Sequence, residues 1–375
     1  MYSSIYFLVG IAVAIYALRT NAIAPQKEAP VSRIWIFGLI LLIGMIAQDV
    51  CKPLFDIWPL DYRSADMLPV ISIMVDRYYS SSEVYAIIPE IWNGMQPIYL
   101  PGLWMPYIMA SLAGIDIRWV NIIFLLLGSL LLLRPWKKAI WQVYSLGSMV
   151  TILLALWMTW MYLDQGMIAL TEEGIVIGYY SLLCVALISG RPVLIGIMIG
   201  LCMMSRYMLA PWAAMFVIAI WLWQGKSQAF RIILSASAVI LILMTFGQGW
   251  AAIPVFFKVP DNYLSAVLAD KGKYSPLINS SLGLAKFWKH EALGSLHSLL
   301  KIMAFLMPLS CIIIYKRWFR GISFALFGLV SLKLSLVFFY NLLVMPYGYL
   351  FYTSTIVSVA ILGFVLTRKE AFRGL

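Results

Sequence analysis

Charge is what this 375-residue chain has least of. Asp, Glu, Lys and Arg make up 11% of it, where water-soluble domains carry about a quarter. With 63% hydrophobic residues and a mean hydropathy of +0.91, it falls outside the soluble classes and reads as an integral membrane protein with many spans. Histidine is scarce too: only His290 and His297 are present, which argues against a histidine-rich metal site. The cysteines Cys51, Cys184, Cys202 and Cys311 are scattered, so neither a disulfide framework nor a zinc spacing exists. No stretch reads as a separate soluble domain, and residues 1–375 form one transmembrane unit in this reading. The net charge of +11 does not call for nucleic acid, because the basic residues fall in short clusters between apolar segments, as the positive-inside bias requires.

Apolar runs of about 16 to 20 residues, the length of a membrane crossing, fall near 3–18, 34–49, 118–133, 143–161, 174–189, 193–205, 207–223, 230–247, 298–315, 321–338 and 348–366. Met1–Leu18 with Asn21–Ala24 faintly resembles a signal peptide, but there is no basic leader and Arg19 stands where cleavage would fall, so an uncleaved first helix is expected. The clusters Arg19/Lys27/Arg33, Arg134/Lys137/Lys138, Arg191, Lys226/Arg231, Lys316/Arg317/Arg320 and Arg368/Lys369/Arg373 mark cytoplasmic turns. Together they predict about eleven crossings, N-terminus out and C-terminus in. That solution leaves Leu100–Gly114 as a re-entrant or juxtamembrane helix, begun by Pro101 and Gly102. It also leaves a second break around Arg206 and Pro211, where a charge between two short spans must face water or a partner, or snorkel to the interface. Gly196 and Gly200 predict close helix packing, and Trp157, Trp160, Trp221 and Trp223 an interfacial belt.

The greasiness is interrupted at 49–101. Seven of the chain's 16 acidic residues, Asp49, Asp56, Asp61, Asp66, Asp76, Glu83 and Glu90, lie there among tryptophans, tyrosines and prolines. A second outer segment, 248–297, carries Lys258, Lys271, Lys273, Lys286, Lys289 and His290. Outer lysines run against the positive-inside bias. They ask for a phosphate, for anionic headgroups, or for mere solvation. A carboxylate facing a phosphate-binding patch at the lipid–water boundary suits sugar transfer from a lipid phosphate: the patch stabilises the leaving phosphate and the carboxylate takes the acceptor's proton.

The stretches Asp61–Leu68 with Asp76–Tyr79, Gln96–Pro106, Gly200–Tyr207 with Ala210–Trp212, and Asn279–Leu282 resemble the GT-C glycosyltransferases, multi-span enzymes that use polyprenyl-phosphate sugars. The likeness covers roughly 34–350, with 1–33 as an extra N-terminal helix; order and topology carry it more than any one short motif. It implies an all-α polytopic fold and a mannosyltransferase-like hexosyltransferase. The partners would be a polyprenyl-phosphate sugar, a glycan or glycolipid acceptor and membrane lipids, and the active site would lie on the outer face of the cell membrane. By it Asp61 is the catalytic base, with Asp56 and Asp66 as alternatives. Arg206, Lys271 and Lys273 would contact the donor phosphate; Arg63, Tyr99, Asn279, Ser280 and His290 would contact sugar or acceptor. Asp61 is equally a good N-cap for the residues after it. Relatives that bind a divalent metal use further acids where this chain has Asp164, Glu172 and Glu173; lipid-monophosphate users generally need none, and neither a metal nor another cofactor is expected. The absence of an Asp-Asp or Asp-Glu doublet from 49–101 departs from the oligosaccharyl- and protein-mannosyl-transferase branches. The rival readings are an O-antigen-type polymerase or ligase, and a lipid-linked-sugar flippase or transporter built around Lys333, the main charge inside a span.

Overall fold

The computed structural model describes residues 2–19, 45, 48, 49, 51–133, 169–318, 322–344 and 348–369. Among them the chain is helical apart from turns and one isolated bridge between Ile88 and Met95. The helices are α1 (Tyr2–Arg19), α2 (Met67–Tyr79), α3 (Pro101–Ala113, with a 3-10 turn at Met105–Tyr107), α4 (Arg118–Leu133), α5 (Glu173–Ser189), α6 (Pro192–Ser205), α7 (Ala210–Trp223), α8 (Lys226–Phe246), α9 (Ile253–Ala269), α10 (Lys271–Ser280), α11 (Leu293–Trp318), α12 (Phe324–Leu342) and α13 (Leu350–Lys369). Local chemistry sets many of the boundaries. Pro101, Pro192, Pro211 and Pro254 stand in first turns, where no N–H is lost. Gly114 and Gly190 close α3 and α5 in the left-handed conformation.

Contacts join α5, α6, α8, α7, α11, α12 and α13 into a closed ring, in that order. α4 lies outside on α5, and α1 on α12 and α13. Side chains on α8 (Leu234, Leu241, Ile242) and α11 (Ile302, Phe305, Ile313) are exposed apolar groups, as helices solvated by lipid require; α5 and α12 are buried nearly all round. α8, α11 with the turn before it, and α12 are each long and apolar enough to cross a membrane, or four spans if the pair Pro101–Ala113 and Arg118–Gly128, bent by 116°, counts as one. α5, α6, Tyr207–Trp223 and Leu350–Val365 are shorter apolar helices. Most of the run 34–49 and all of 143–161, like Asp164, Trp157 and Trp160, lie outside the described residues. The chain is therefore an all-α membrane protein.

Helix ends sort by side. The C-terminal ends of α6, α8 and α12 and the N-terminal ends of α4, α5 and α13 meet at one end of the bundle, under the segment 58–116. There Tyr179 donates to the Gly102 carbonyl at 3.0 Å, Asn121 to the Thr171 carbonyl at 2.7 Å, and a methyl on Gly102 would overlap Met204. At the opposite end Trp223, Tyr315, Phe324 and Phe327 form an aromatic cluster, with the Tyr315 and Phe327 centroids 4.6 Å apart. The acidic loop thus caps one end while Lys226, Lys316 and Arg317 stand on helix ends at the other.

The expected close packing at Gly196 and Gly200 is present between α6 and α8. A methyl at Gly196 would meet Ser235 Oγ and Ile232 O, and one at Gly200 the Ala236 carbonyl at 2.9 Å. Gly128, Gly174 and Gly178 do the same between α4 and α5, a contact the sequence reading passed over. Gly196→Leu should cost at least about 1–3 kcal/mol by overpacking, while Gly294→Ala, which opens on empty space, should be neutral or slightly stabilising. Thermal melts in detergent micelles would separate the two; equal melts would show that α6 and α8 can part freely.

Candidate functional site

The break between α6 and α7 builds the polar centre of the capped end. Arg206 leaves the helix with φ −147° and ψ 110°, and a 3-10 turn over Tyr207–Leu209 follows. Its side chain turns into the bundle. One guanidinium nitrogen donates to Glu173 and, at 3.4 Å, to Glu172 Oε1; the other reaches the Tyr340 hydroxyl at 3.4 Å. Glu173, at the start of α5 and wholly buried, also accepts from Thr353 Oγ1 at 2.6 Å. Four helix ends are therefore tied to one arginine. Burial pushes the Glu172 carboxyl above the usual range, against the pull of Arg206. Two acids face one guanidinium, so the cluster has no positive charge to spare.

Asp66, just before α2, belongs to the segment that caps this end of the bundle. It precedes α2 without capping it; its Oδ2 accepts instead from Trp92 Nε1 at 3.2 Å. The Trp92 ring meets Tyr62 edge-on, centroids 5.6 Å apart. Burial raises the Asp66 carboxyl above its ordinary range, and the Trp92 bond offsets part of that rise. Buried Tyr99 feels Glu172, Asp66 and Tyr349. The loop that presents Trp92 is fixed by paired bonds between Ile88 and Met95 (2.8 and 2.9 Å) and by Gln96 Nε2 on the Tyr85 carbonyl at 2.6 Å.

The other expected site residues lie elsewhere. Asp61 is half-buried and caps a turn, accepting from the Arg63 amide at 3.0 Å on its side chain and from Ser64 and Ala65 on its carbonyl. The helix it was expected to open begins only at Met67. Asp56 and Arg63 are exposed, the latter against the Tyr62 ring. The segment 248–297, read as an outer loop, is mostly helix: α9, α10 and 3-10 turns pack on α11 and the end of α12 through Val267, Ile278, Leu293, Leu296 and Leu342. Lys271 pairs with Glu291 at 3.0 Å, both well exposed. Lys273 lies over the Tyr274 ring, and His290 meets the Leu268 carbonyl at 3.4 Å. Asn279 is exposed, and the side chain of Ser280 lies outside the described atoms. The two segments touch through Tyr85 and Phe256, centroids 5.7 Å apart, and through the Val84 amide on Gln248 at 3.3 Å.

Lys333 is buried, with its ammonium on Ser354 O (2.8 Å) and Oγ (2.6 Å); that is a tie between α12 and α13. Arg118, likewise buried and paired with Asp116, holds the distant chain at 55–58 by donating to the Phe55 and Trp58 carbonyls. Among the described residues no three His, Cys, Asp or Glu side chains are grouped to hold a metal ion. Comparisons with family models, with curated proteins and with solved structures give no match.

Sequence reasoning singled out Arg206 but paired it with a phosphate rather than with Glu172 and Glu173. The signal was present: two adjacent acids open an apolar helix in a chain whose one charge between short spans needs a counter-ion.

Proposed function

We propose that this protein is a polytopic membrane glycosyltransferase of GT-C type with about eleven crossings, moving a hexose from a polyprenyl phosphate to a glycan or glycolipid at the outer face of the membrane. The observation that carries this reading is Asp66, a half-buried carboxylate beside an exposed aromatic ring, set at the bundle end where the acidic loop meets the ion-paired core. In the reaction the acceptor hydroxyl attacks the anomeric carbon. A new C–O bond forms, the bond to the phosphate oxygen breaks, the polyprenyl phosphate leaves, and the hydroxyl proton passes to Asp66. A carboxyl raised by burial is the better base for that step.

The role falls to Asp66 rather than Asp61, whose Oδ1 holds its own turn by accepting from the Arg63 amide. Arg206, already matched by two carboxylates, serves as the positioning residue of the acidic core. Phosphate contact is left to the exposed lysines of the α9–α10 segment, Lys258 and Lys273, with Lys271 shared with the equally exposed Glu291. The exposed apolar side chains of α9, Phe257, Tyr263 and Leu268, would lie along the lipid tail. Membranes containing the protein, incubated with radiolabelled polyprenyl-phosphate hexoses, should transfer label to a lipid-linked or polymeric acceptor. Failure with every hexose donor and every envelope glycan or glycolipid offered would overturn the reading.

A further inference from the structure

Two helices able to cross a membrane, α8 (Lys226–Phe246) and the stretch His290–Trp318, bracket the chain from 247 to 289. α8 ends at Gly247, against Pro101 of the capping segment. His290–Trp318 runs the other way, towards the aromatic cluster of Tyr315 and Trp223. The chain between them therefore leaves one crossing and enters the next on the same side. His290–Trp318 has 29 residues, about 43 Å of helix, which matches a bilayer with its headgroups. The turn just before His290 thus lies at headgroup level. The 3-10 turn over Leu284–Phe287 joins α9 and α10 in one small apolar core with α11 and α12, built from Val267, Ile278, Ala285, Leu293 and Leu342. Lys271 on Glu291 at 3.0 Å and His290 on the Leu268 carbonyl at 3.4 Å tie both helices to the entry of the span.

That core leaves the turn uncovered. Phe287 is 60% exposed, and Leu268, beside His290, is 39% exposed. The Lys286 ammonium stands 5.5 Å from the Phe287 ring centroid and donates to the Ser281 carbonyl at 3.3 Å; Lys289 is exposed. The acids of the segment are engaged elsewhere. Glu291 pairs with Lys271, Asp261 pairs with Lys301 at 2.8 Å, and Asp270 accepts from the Lys273 amide at 2.9 Å. What remains at the mouth of the span is an apolar ring with a lysine on either side. Such a group suits the lipid–water boundary, the ring resting on the interface and the ammonium groups among phosphates. Two cations without a facing acid select headgroups of net negative charge.

We infer that the turn Lys286–Lys289, with the Leu268 end of α9, docks on anionic phospholipid of the surrounding leaflet, so that lipid charge sets how firmly α9 and α10 are held. The occupant is a bilayer headgroup. Lys286 and Lys289 are not the lysines assigned to a donor phosphate above, and the docking stands whether or not the protein transfers a sugar.

The full-length protein would be placed in nanodiscs of phosphatidylcholine, alone or mixed with anionic phosphatidylglycerol, and amide hydrogen exchange followed over 262–292. A lysine near an anionic surface contributes about fivefold, so exchange around 268–289 should be at least about fivefold slower in the mixed discs. Salt should erode that difference by screening. The double variant Lys286→Gln/Lys289→Gln should abolish it while melting like the wild type in phosphatidylcholine. If the double variant melts lower, Lys289→Gln alone carries the test and should lose about fivefold of the protection. Equal exchange in the two kinds of disc, or a difference that the lysine variants keep, overturns the docking. The same slowing produced by dissolved inorganic phosphate in phosphatidylcholine discs would make the turn a site for free phosphate and overturn a lipid one.

Discussion

Asparagine at position 66 should lower sugar transfer by about two to four orders of magnitude, the usual contribution of a positioned general base. The replacement is nearly isosteric, and its amide oxygen can still accept from Trp92 Nε1, which holds the native carboxylate at 3.2 Å; a melting temperature close to wild type would show that the loss is chemical. Asp61→Asn should leave transfer largely intact, since that side chain serves the turn over 61–65. If instead Asp61→Asn is inactive and Asp66→Asn is not, the base has been misassigned. The pH dependence has a definite sign. The working form of Asp66 is the carboxylate, and its pKa is raised by burial. Activity should therefore be present above that raised pKa and lost as pH falls through it, at a higher pH than for an ordinary aspartate. The Trp92 bond pulls the pKa down, so Trp92→Phe should move the acid limb of the rate profile further up.

The second large effect is on stability. Arg206→Met should cost about 3–5 kcal/mol, because it strands the buried carboxylates of Glu172 and Glu173 without a counter-charge. Lysine should recover only part of this, as a point charge cannot address two carboxylates and the Tyr340 hydroxyl at once. Adding Glu173→Gln to the methionine variant should restore some of the lost stability, since one of the two orphaned charges disappears. Denaturation in micelles followed by tryptophan fluorescence would measure all three. A methionine variant as stable as wild type would mean that these acids are protonated or solvated in the native state and that the ion pair holds nothing together.

What the sequence made legible was whatever depends on near neighbours. Apolar length gave the helices, Pro101 and Gly114 bounded α3, and the spacing of Gly196 and Gly200 foretold the tight seam with α8. Arg206 with Pro211 gave away the break between α6 and α7. What stayed hidden depends on distant parts of the chain. Arg206 finds Glu173 33 positions away and Tyr340 134 away, and no periodicity encodes such pairings. Asp61 and Asp66 look alike in isolation; only the fold of the turn between them leaves Asp61 to the Arg63 amide and Asp66 to Trp92. Lys271 likewise looked like a free cation because Glu291, 20 residues from it, is far off in the chain and close in space. The left-handed Trp92, at φ 51°, was invisible for a different reason: nothing in Ile91-Trp-Asn-Gly requires the tryptophan itself to take the unfavourable conformation.

The first helix rests on the last two, where a methyl on Gly10 would overlap Val337 and lie 3.5 Å from Lys333 Cε. α1 is therefore synthesised long before the helices it packs on. The ring itself closes through α13 on α5, so a ribosome that stops short of residue 350 releases a bundle with an open seam, Glu173 lacking Thr353 and Lys333 lacking Ser354. The ring thus cannot close until the last helix has been made.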